Sequence, residues 1–336
     1  MTDEDFIRRT FTLAKLGQGN TWPNPLVGAV IVKDRKIIAE GYHHQHGHDH
    51  AELDAINKAT STLEGSTIYV NLEPCCHTNK LTPPCAQRLI TEKFKKVVIS
   101  NLDPNPLVNG KGVELLRSHG IEVEHGILKE EGEALNEAFF FAQIHRRPFI
   151  HLKMATTLDG KVATSAGESQ WITGEKARLH VHQMRAHHQG IIIGAETARR
   201  DNPKLNIRLP NYQGKQPWRI VISKSGNLPK HLHLFSDELK DQTLVYSDIQ
   251  EAMRDLFERK LINLILEGGQ KLASEFVGQG LVNRVSLYLN PSFLGSGISA
   301  LGDLGVTQLN QRPRLKNMHS EWLGEDLFLS GNLHKE

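Results

Sequence analysis

The apolar positions of the first 146 residues fall into two alternating rhythms. Phe6, Ile7, Phe11, Leu13, Ala14 and Leu16 recur at helical spacing across residues 6–17. Leu26–Val32 and Lys36–Tyr42 flank Asp34-Arg35 and predict a hairpin. His50–Thr60 returns to helical periodicity, and Ser66–Leu72 reads as a buried strand running into Glu73-Pro74-Cys75-Cys76. Pro83-Pro84 predicts a helix start, with Thr82 as its cap and the helix running to about Phe94. Lys96–Ser100 and Ile121–His125 predict strands around a helix at Val113–Ser118. A last helix runs from about Glu130 to Ile144 and ends before Arg146-Arg147-Pro148, because a proline disfavours the helical conformation of the residue before it. The domain boundary is therefore placed at 144–149, giving domains 1–146 and 147–336.

The second half repeats the α/β rhythm. Phe149–Ala155, Gly190–Gly194, Arg219–Ser223, Thr243–Tyr246, Asn263–Glu267 and Arg284–Asn290 predict strands. Glu175–Ala186, Asp248–Arg259 and Gln270–Gly278 predict helices between them. Short apolar strands separated by helices predict a mostly parallel sheet covered on both faces.

Composition narrows the function. With 40 basic and 38 acidic residues the net charge is +2, too even for a protein built to hold a long polynucleotide. No apolar run reaches bilayer-spanning length, and the acidic start Met1-Thr2-Asp3-Glu4-Asp5 is unlike a secretory signal. The three cysteines all lie between Cys75 and Cys85, the clustering of a metal site and not of a disulfide framework. Cytoplasmic location is the expectation.

The chemistry concentrates at His50-Ala51-Glu52, Pro74-Cys75 and Cys85. This is the H-x-E and P-C pattern of zinc deaminases, except in the spacing of its cysteines. One imidazole and two thiolates leave the fourth tetrahedral position of Zn²⁺ open to water. Glu52 would then carry protons from the water to the ring nitrogen and the leaving amine. Among the five histidines between Tyr42 and Ala51, only His50 is followed by Ala51-Glu52, and the others are read as solvated loop residues. Cys76 competes with Cys75 as the ligand, and Cys75 is preferred because it directly follows Glu73-Pro74.

These stretches, together with Pro23-Asn24-Pro25-Leu26-Val27-Gly28, Thr82-Pro83-Pro84-Cys85 and Asp103-Pro104-Asn105-Pro106, resemble the bifunctional deaminase/reductase family of bacterial riboflavin biosynthesis. The resemblance implies an α/β chain with an N-terminal cytidine-deaminase-like α/β/α domain and a C-terminal dihydrofolate-reductase-like α/β domain. It implies hydrolytic deamination of a phosphorylated diaminopyrimidinone, then NADPH-dependent reduction of its ribosyl group to ribityl. It also implies that Asn24 helps hold the pyrimidine; by itself Asn24 between two prolines is a turn residue. Nine residues separate Cys75 from Cys85, one more than is usual in the family, and the extra residue falls in Thr78-Asn79-Lys80-Leu81.

In the second half the resemblance rests on His151 through Lys161, Ser169-Gln170-Trp171-Ile172-Thr173, Gly194 through Thr197, Asp201 through Leu205, and Glu267-Gly268-Gly269. By position it puts Ala155, Trp171, Thr197, Gly268 and Gly269 at the cofactor, and Ser169, Leu205 and Glu267 at the substrate. Arg185 and Arg208 are candidates for the substrate phosphate, since a guanidinium fork matches phosphate oxygens. Asp201 is a candidate for proton transfer during ribosyl ring opening, for cofactor contact, or for a plain turn before Asn202-Pro203. Lys224 stands where the family usually has Ser or Thr after an acidic residue, and could favour a cofactor phosphate. A homo-oligomer is expected from exposed apolar edges. Two rivals remain: a nucleoside or tRNA deaminase with an unrelated extension, and a non-catalytic zinc-stabilised nucleotide-binding regulator.

Overall fold

Every strand and helix predicted above has a counterpart in the computed structural model, which describes residues 1–76, 84–106 and 108–334. Contacts divide the chain into two units, Met1–Arg146 and Arg147–Glu336.

The first unit opens with α1 (Asp3–Ala14), capped by Thr2 and Asp5 in a reciprocal capping box. The hairpin β1 (Gly28–Lys33) and β2 (Lys36–Tyr42) follows, then α2 (Ala51–Lys58), β3 (Thr67–Leu72), α3 (Cys85–Thr91), β4 (Lys96–Asn101), α4 (Lys111–Ser118) and β5 (Glu122–His125). The strand order is β2-β1-β3-β4-β5, with β3, β4 and β5 parallel and β1 antiparallel to both of its neighbours. Helix α3 starts at Cys85 with Pro84 as its flanking residue; the expected cap Thr82 and the extra loop residue lie outside the described residues. Two small residues set helix positions. A Cβ at Gly41 of β2 would lie 2.3 Å from the Ala55 nitrogen, so only glycine lets α2 sit this close to the sheet. One at Gly112 would lie 2.4 Å from the Pro74 carbonyl oxygen, so α4 presses against the segment that leads into Cys75.

The single helix expected from Glu130 to Ile144 is two, α5 (Lys129–Leu135) and α6 (Glu137–His145). The break is at Asn136, 3% exposed, whose side chain accepts from the Leu26 amide at 2.8 Å and donates to the Leu26 carbonyl at 2.9 Å. A side chain that pairs with a distant backbone serves a tertiary contact that periodicity does not register.

The second unit contains β6 (Phe149–Thr157), β7 (Lys161–Ala163), α7 (Glu175–Ala186), β8 (Gly190–Gly194), α8 (Ala195–Asp201), β9 (Trp218–Ile222), α9 (His233–Ser236), β10 (Thr243–Tyr246), α10 (Ile249–Glu258), β11 (Asn263–Leu266), α11 (Gln270–Gly278), β12 (Arg284–Asn290), β13 (Ile298–Ser299), β14 (Arg314–Leu323) and β15 (Asp326–His334). Eight strands form one sheet in the order β10-β9-β8-β11-β6-β12-β15-β14. The first six are parallel, and β15 and β14 add antiparallel at one end. Both faces are buried. Ile192, Ile220, Ile222, Leu264 and Leu266 face one core and the alternating Ile191, Ile193, Val221 and Ile265 face the other. Arg219, fully buried, is held by Asp237 at 2.7 Å, the Leu234 carbonyl and the Thr243 hydroxyl. The hairpin β14–β15 was not expected from the sequence; β14 is polar and exposed along nearly its whole length, so no core-facing period marks it.

Candidate active sites

In the first unit the metal-type donors converge from three separate elements. His50 is the residue flanking the start of α2, Cys75 follows β3, and Cys85 is the first residue of α3. Their donor atoms all lie within 4.8 Å of one another, with His50 Nδ1 3.5 Å from Cys75 Sγ and 3.4 Å from Cys85 Sγ. The Cys85 amide donates to Cys75 Sγ at 3.4 Å, a contact that favours a thiolate at the helix start. Donor softness and spacing suit Zn²⁺. Cys76 stands outside this trio, half-buried, its thiol pushed up by burial and by Glu73. Glu52, the second residue of α2, is 3% exposed.

Three neighbours escaped the sequence reading. His43, expected to be a solvated loop residue, is 2% exposed. Its Nδ1 pairs with the Asp49 carbonyl oxygen at 2.9 Å and so carries the proton, which leaves Nε2 to accept from the Asn24 amide at 3.0 Å. Burial holds its pKa down to about 4, so the ring is neutral and locks Asn24 in one orientation. His44 and His48 are exposed, as expected of the loop. Glu73 accepts from the amides of Asp103 (3.2 Å), Gly110 (2.9 Å) and Val113 (3.2 Å), tying the start of α4 to the strand end that bears Cys75. Burial raises the Asp103 carboxyl to about 7 despite the Asn105 amide bonded to it. A run of five histidines hides the buried one, because burial of a loop residue has no local period.

The second unit holds a cavity of about 860 Å³. Ala155, Ser169, Trp171, Arg185, Thr197, Asp201, Arg208, Lys224, Glu267, Gly268 and Gly269 all line it. Leu205 does not; its side chain is 4% exposed in the core cluster with Val181, Ala198 and Val221. Arg185 is engaged in a bidentate pair with Glu267, two contacts of 2.7 Å, and donates to the Asn206 carbonyl at 2.9 Å. Burial alone would raise Glu267, but Arg185, Lys153 and His182 hold it down to about 2. Burial and the guanidinium groups of Arg185 and Arg208 depress His182 to about 4. Burial depresses the Lys153 ammonium too. Lys153 and His182 were not singled out from the sequence, although a lysine inside an apolar strand is an available signal. Asp201, at the end of α8, is raised by burial against the opposing pull of Arg200. Gly269 flanks the start of α11, and a Cβ at Gly268 would crowd Leu272 at 3.1 Å. Bare backbone therefore faces the cavity at a helix start, an arrangement suited to the phosphates of a dinucleotide. Arg199, Arg200 and Lys224 add positive charge to the same wall, so NADPH fits these residues.

Residues 1–101 match the model of the cytidine and deoxycytidylate deaminase zinc-binding region, and residues 148–329 match the RibD C-terminal domain. The riboflavin biosynthesis protein RibD of Actinobacillus pleuropneumoniae is 42% identical over 98% of this chain and 95% of its own. The chain belongs to the RibD family. A second RibD, from Synechocystis, is 39% identical over 99% of this chain and 97% of its own. A solved Acinetobacter baumannii RibD superimposes with a TM-score of 0.91 at 35% identity, covering 99% of both chains. The Thermotoga maritima diaminohydroxyphosphoribosylaminopyrimidine deaminase/5-amino-6-(5-phosphoribosylamino)uracil reductase gives 0.88 at 36%, again over 99% of both. RibD proteins are bifunctional enzymes of riboflavin biosynthesis, joining a zinc-binding pyrimidine deaminase to an NADPH-dependent reductase, and this chain carries both folds. No helix among the described residues is long and apolar enough to cross a membrane.

Proposed function

We propose that the unit 1–146 deaminates 2,5-diamino-6-(5-phosphoribosylamino)pyrimidin-4-one and that the unit 147–336 reduces the product's ribosyl group to ribityl. The observation that carries the first half is the convergence of His50, Cys75 and Cys85. These three residues would hold Zn²⁺, whose chemistry there would be to lower the pKa of a water towards neutral. Glu52 would take one proton from the attacking water and pass it to the ring nitrogen, then take the second from the newly formed hydroxyl and pass it to the departing amine, which leaves as ammonia. Asn24, fixed by neutral His43, orients the pyrimidine. The convergence of Cys75 with His50 and Cys85 supports Cys75 over Cys76 as the ligand.

In the reductase unit NADPH supplies the hydride. Gly268, Gly269 and Thr197, which line the cavity, would border its phosphates, Ala155 and Trp171 would lie along the cofactor, and Lys224 would add a charge for a phosphate. Asp201, on the cavity wall, would pass a proton to the ribosyl ring oxygen and so assist ring opening. Arg208 meets the substrate phosphate. Arg185 and Glu267 shape the substrate wall as a pair, with Ser169 on the same cavity. The reading places the chain in the cytoplasm, where reducing conditions keep the thiolates free for metal.

The test supplies purified protein with the phosphorylated diaminopyrimidinone and follows ammonia and NADPH separately. Ammonia release without NADPH, with NADPH oxidation only after deamination, is the expected result. Ammonia release with no NADPH consumption leaves the first unit's assignment standing and removes the second's.

A further inference from the structure

Helix α7 turns a stripe of polar side chains towards the cavity of the second unit. Arg178, His182 and Arg185 recur at helical spacing, and all of them line the cavity. Both arginines have their partners within the protein. Arg178 lies over the Trp171 ring, 4.9 Å from its centroid, and donates to the Thr173 carbonyl at 2.6 Å. Each guanidinium nitrogen of Arg185 is engaged, Nε and Nη2 by Glu267 and Nη1 by the Asn206 carbonyl. Half-buried His182, between them, is only half used. Its Nδ1 accepts from the backbone amide of Arg208 at 3.3 Å. Burial and the charges of Arg185 and Arg208 keep the ring neutral at pH 7, so its proton stands on Nε2. Among the described residues no group accepts from Nε2.

A neutral N–H donor at this place suits one part of the proposed substrate. A phosphate monoester ends in three acceptor oxygens. A guanidinium fork takes two of them. Arg208 is exposed beside His182, and among the described residues its side chain donates only to Asn206 Oδ1, at 2.9 Å. Its fork is therefore open to a phosphate and leaves one oxygen over. The His182 ring feels the charges of Arg185, Arg208, Glu267 and Lys153 together, which sets it among the charged groups of the substrate wall. A further cation at position 182 would be repelled by Arg185, Arg208 and Lys153 before substrate enters. A neutral imidazole donates without that cost.

We infer that His182 is a further substrate-binding residue of the reductase unit, its Nε2–H donating to the phosphate oxygen that the Arg208 fork leaves unmet. This rests on the reading above that the cavity takes the phosphorylated product of the first unit. It makes the side chain at position 182 a determinant of affinity for phosphorylated over unphosphorylated substrate.

Steady-state kinetics of the full-length zinc-loaded enzyme test it, with NADPH oxidation followed on 5-amino-6-(5-phosphoribosylamino)uracil. The same compound without its phosphate enters as a competitor, so its affinity is read whether or not it is reduced. Two variants separate a substrate contact from a structural one. His182→Asn places an oxygen where Nδ1 stands and keeps an acceptor for the Arg208 amide, but it has no donor reaching as far as Nε2. His182→Gln carries an amide N–H to the Nε2 position. H182N should raise KM for the phosphorylated substrate about tenfold or more, the loss of a hydrogen bond to a charged group. Its KM for NADPH and its affinity for the unphosphorylated competitor should stay as in the wild type. H182Q should recover most of the lost affinity. H182N with the wild-type KM, an equal loss for the unphosphorylated competitor, or H182Q as impaired as H182N would each overturn the inference and leave the reductase assignment standing. A wild type that oxidises no NADPH with this substrate would remove that assignment, and the inference with it.

Discussion

Glu52, Cys75 and Glu267 are the single side chains at which the proposed roles can be tested most directly. Glu52→Gln removes the proton carrier while keeping nearly the same volume. Ammonia release should fall by about 10²–10⁴, with bound zinc unchanged and NADPH oxidation on already deaminated substrate intact; equal rates would end the proton-carrier assignment. Cys75→Ser should strip the metal, whereas Cys76→Ser should keep it, as metal analysis of the two purified variants will show. Glu267 has a folded pKa of about 2 against an ordinary 4.5. A depressed carboxyl stabilises the fold at pH values above its unfolded pKa, and that contribution fades as pH falls from 4.5 towards 2. The shift corresponds to about 3 kcal/mol. Glu267→Gln leaves Arg185 buried without its counter-charge and should cost about 3 kcal/mol or more at neutral pH. It should also flatten the acid limb of the reductase unit's unfolding curve; an unchanged limb would show that another group drives it.

At the scale of elements, the deaminase site is assembled by helix starts pressed against strand ends. Gly41 lets α2 approach β2, Gly112 lets α4 approach Pro74, and Glu73 ties α4 and Asp103 back to the end of β3. Asn136 performs a related task between α5 and α6, satisfying the Leu26 backbone two residues beyond Asn24. Asn136→Ala leaves the Leu26 amide without that acceptor and should lower stability by about 1–3 kcal/mol. Loosening that segment should also raise KM for the pyrimidine more than it lowers kcat. A kcat loss at unchanged KM would place Asn136's influence elsewhere. The alternating periods along the chain predicted nearly all of these elements. The break at Asn136 and the hairpin β14–β15 went unread, because one answers to a contact 110 residues away and the outer strand of the other, β14, has no buried face to create a period.

For the whole molecule, two units of different chemistry share one chain, and their dependence on metal separates them. Chelation of zinc should abolish ammonia release while leaving reduction of pre-deaminated substrate at its starting rate, measured as NADPH oxidation. Loss of both activities together would mean that the reductase unit relies on the metal-bearing one for its fold.

The residues His50, Glu52, Cys75 and Cys85 were legible in the chain itself, because metal chemistry admits few side chains and the motif binds them in a fixed order. The strands and helices were legible because burial imposes a period on local sequence. What only the tertiary structure decided has no local period. It drew Cys75 into one donor group with His50 and Cys85, buried His43 next to the exposed His44, and placed the Leu205 side chain in the core. It also committed Arg185 to Glu267 across 82 residues. Each is a meeting of side chains from distant elements, and such a meeting is settled by packing, not by neighbours in sequence.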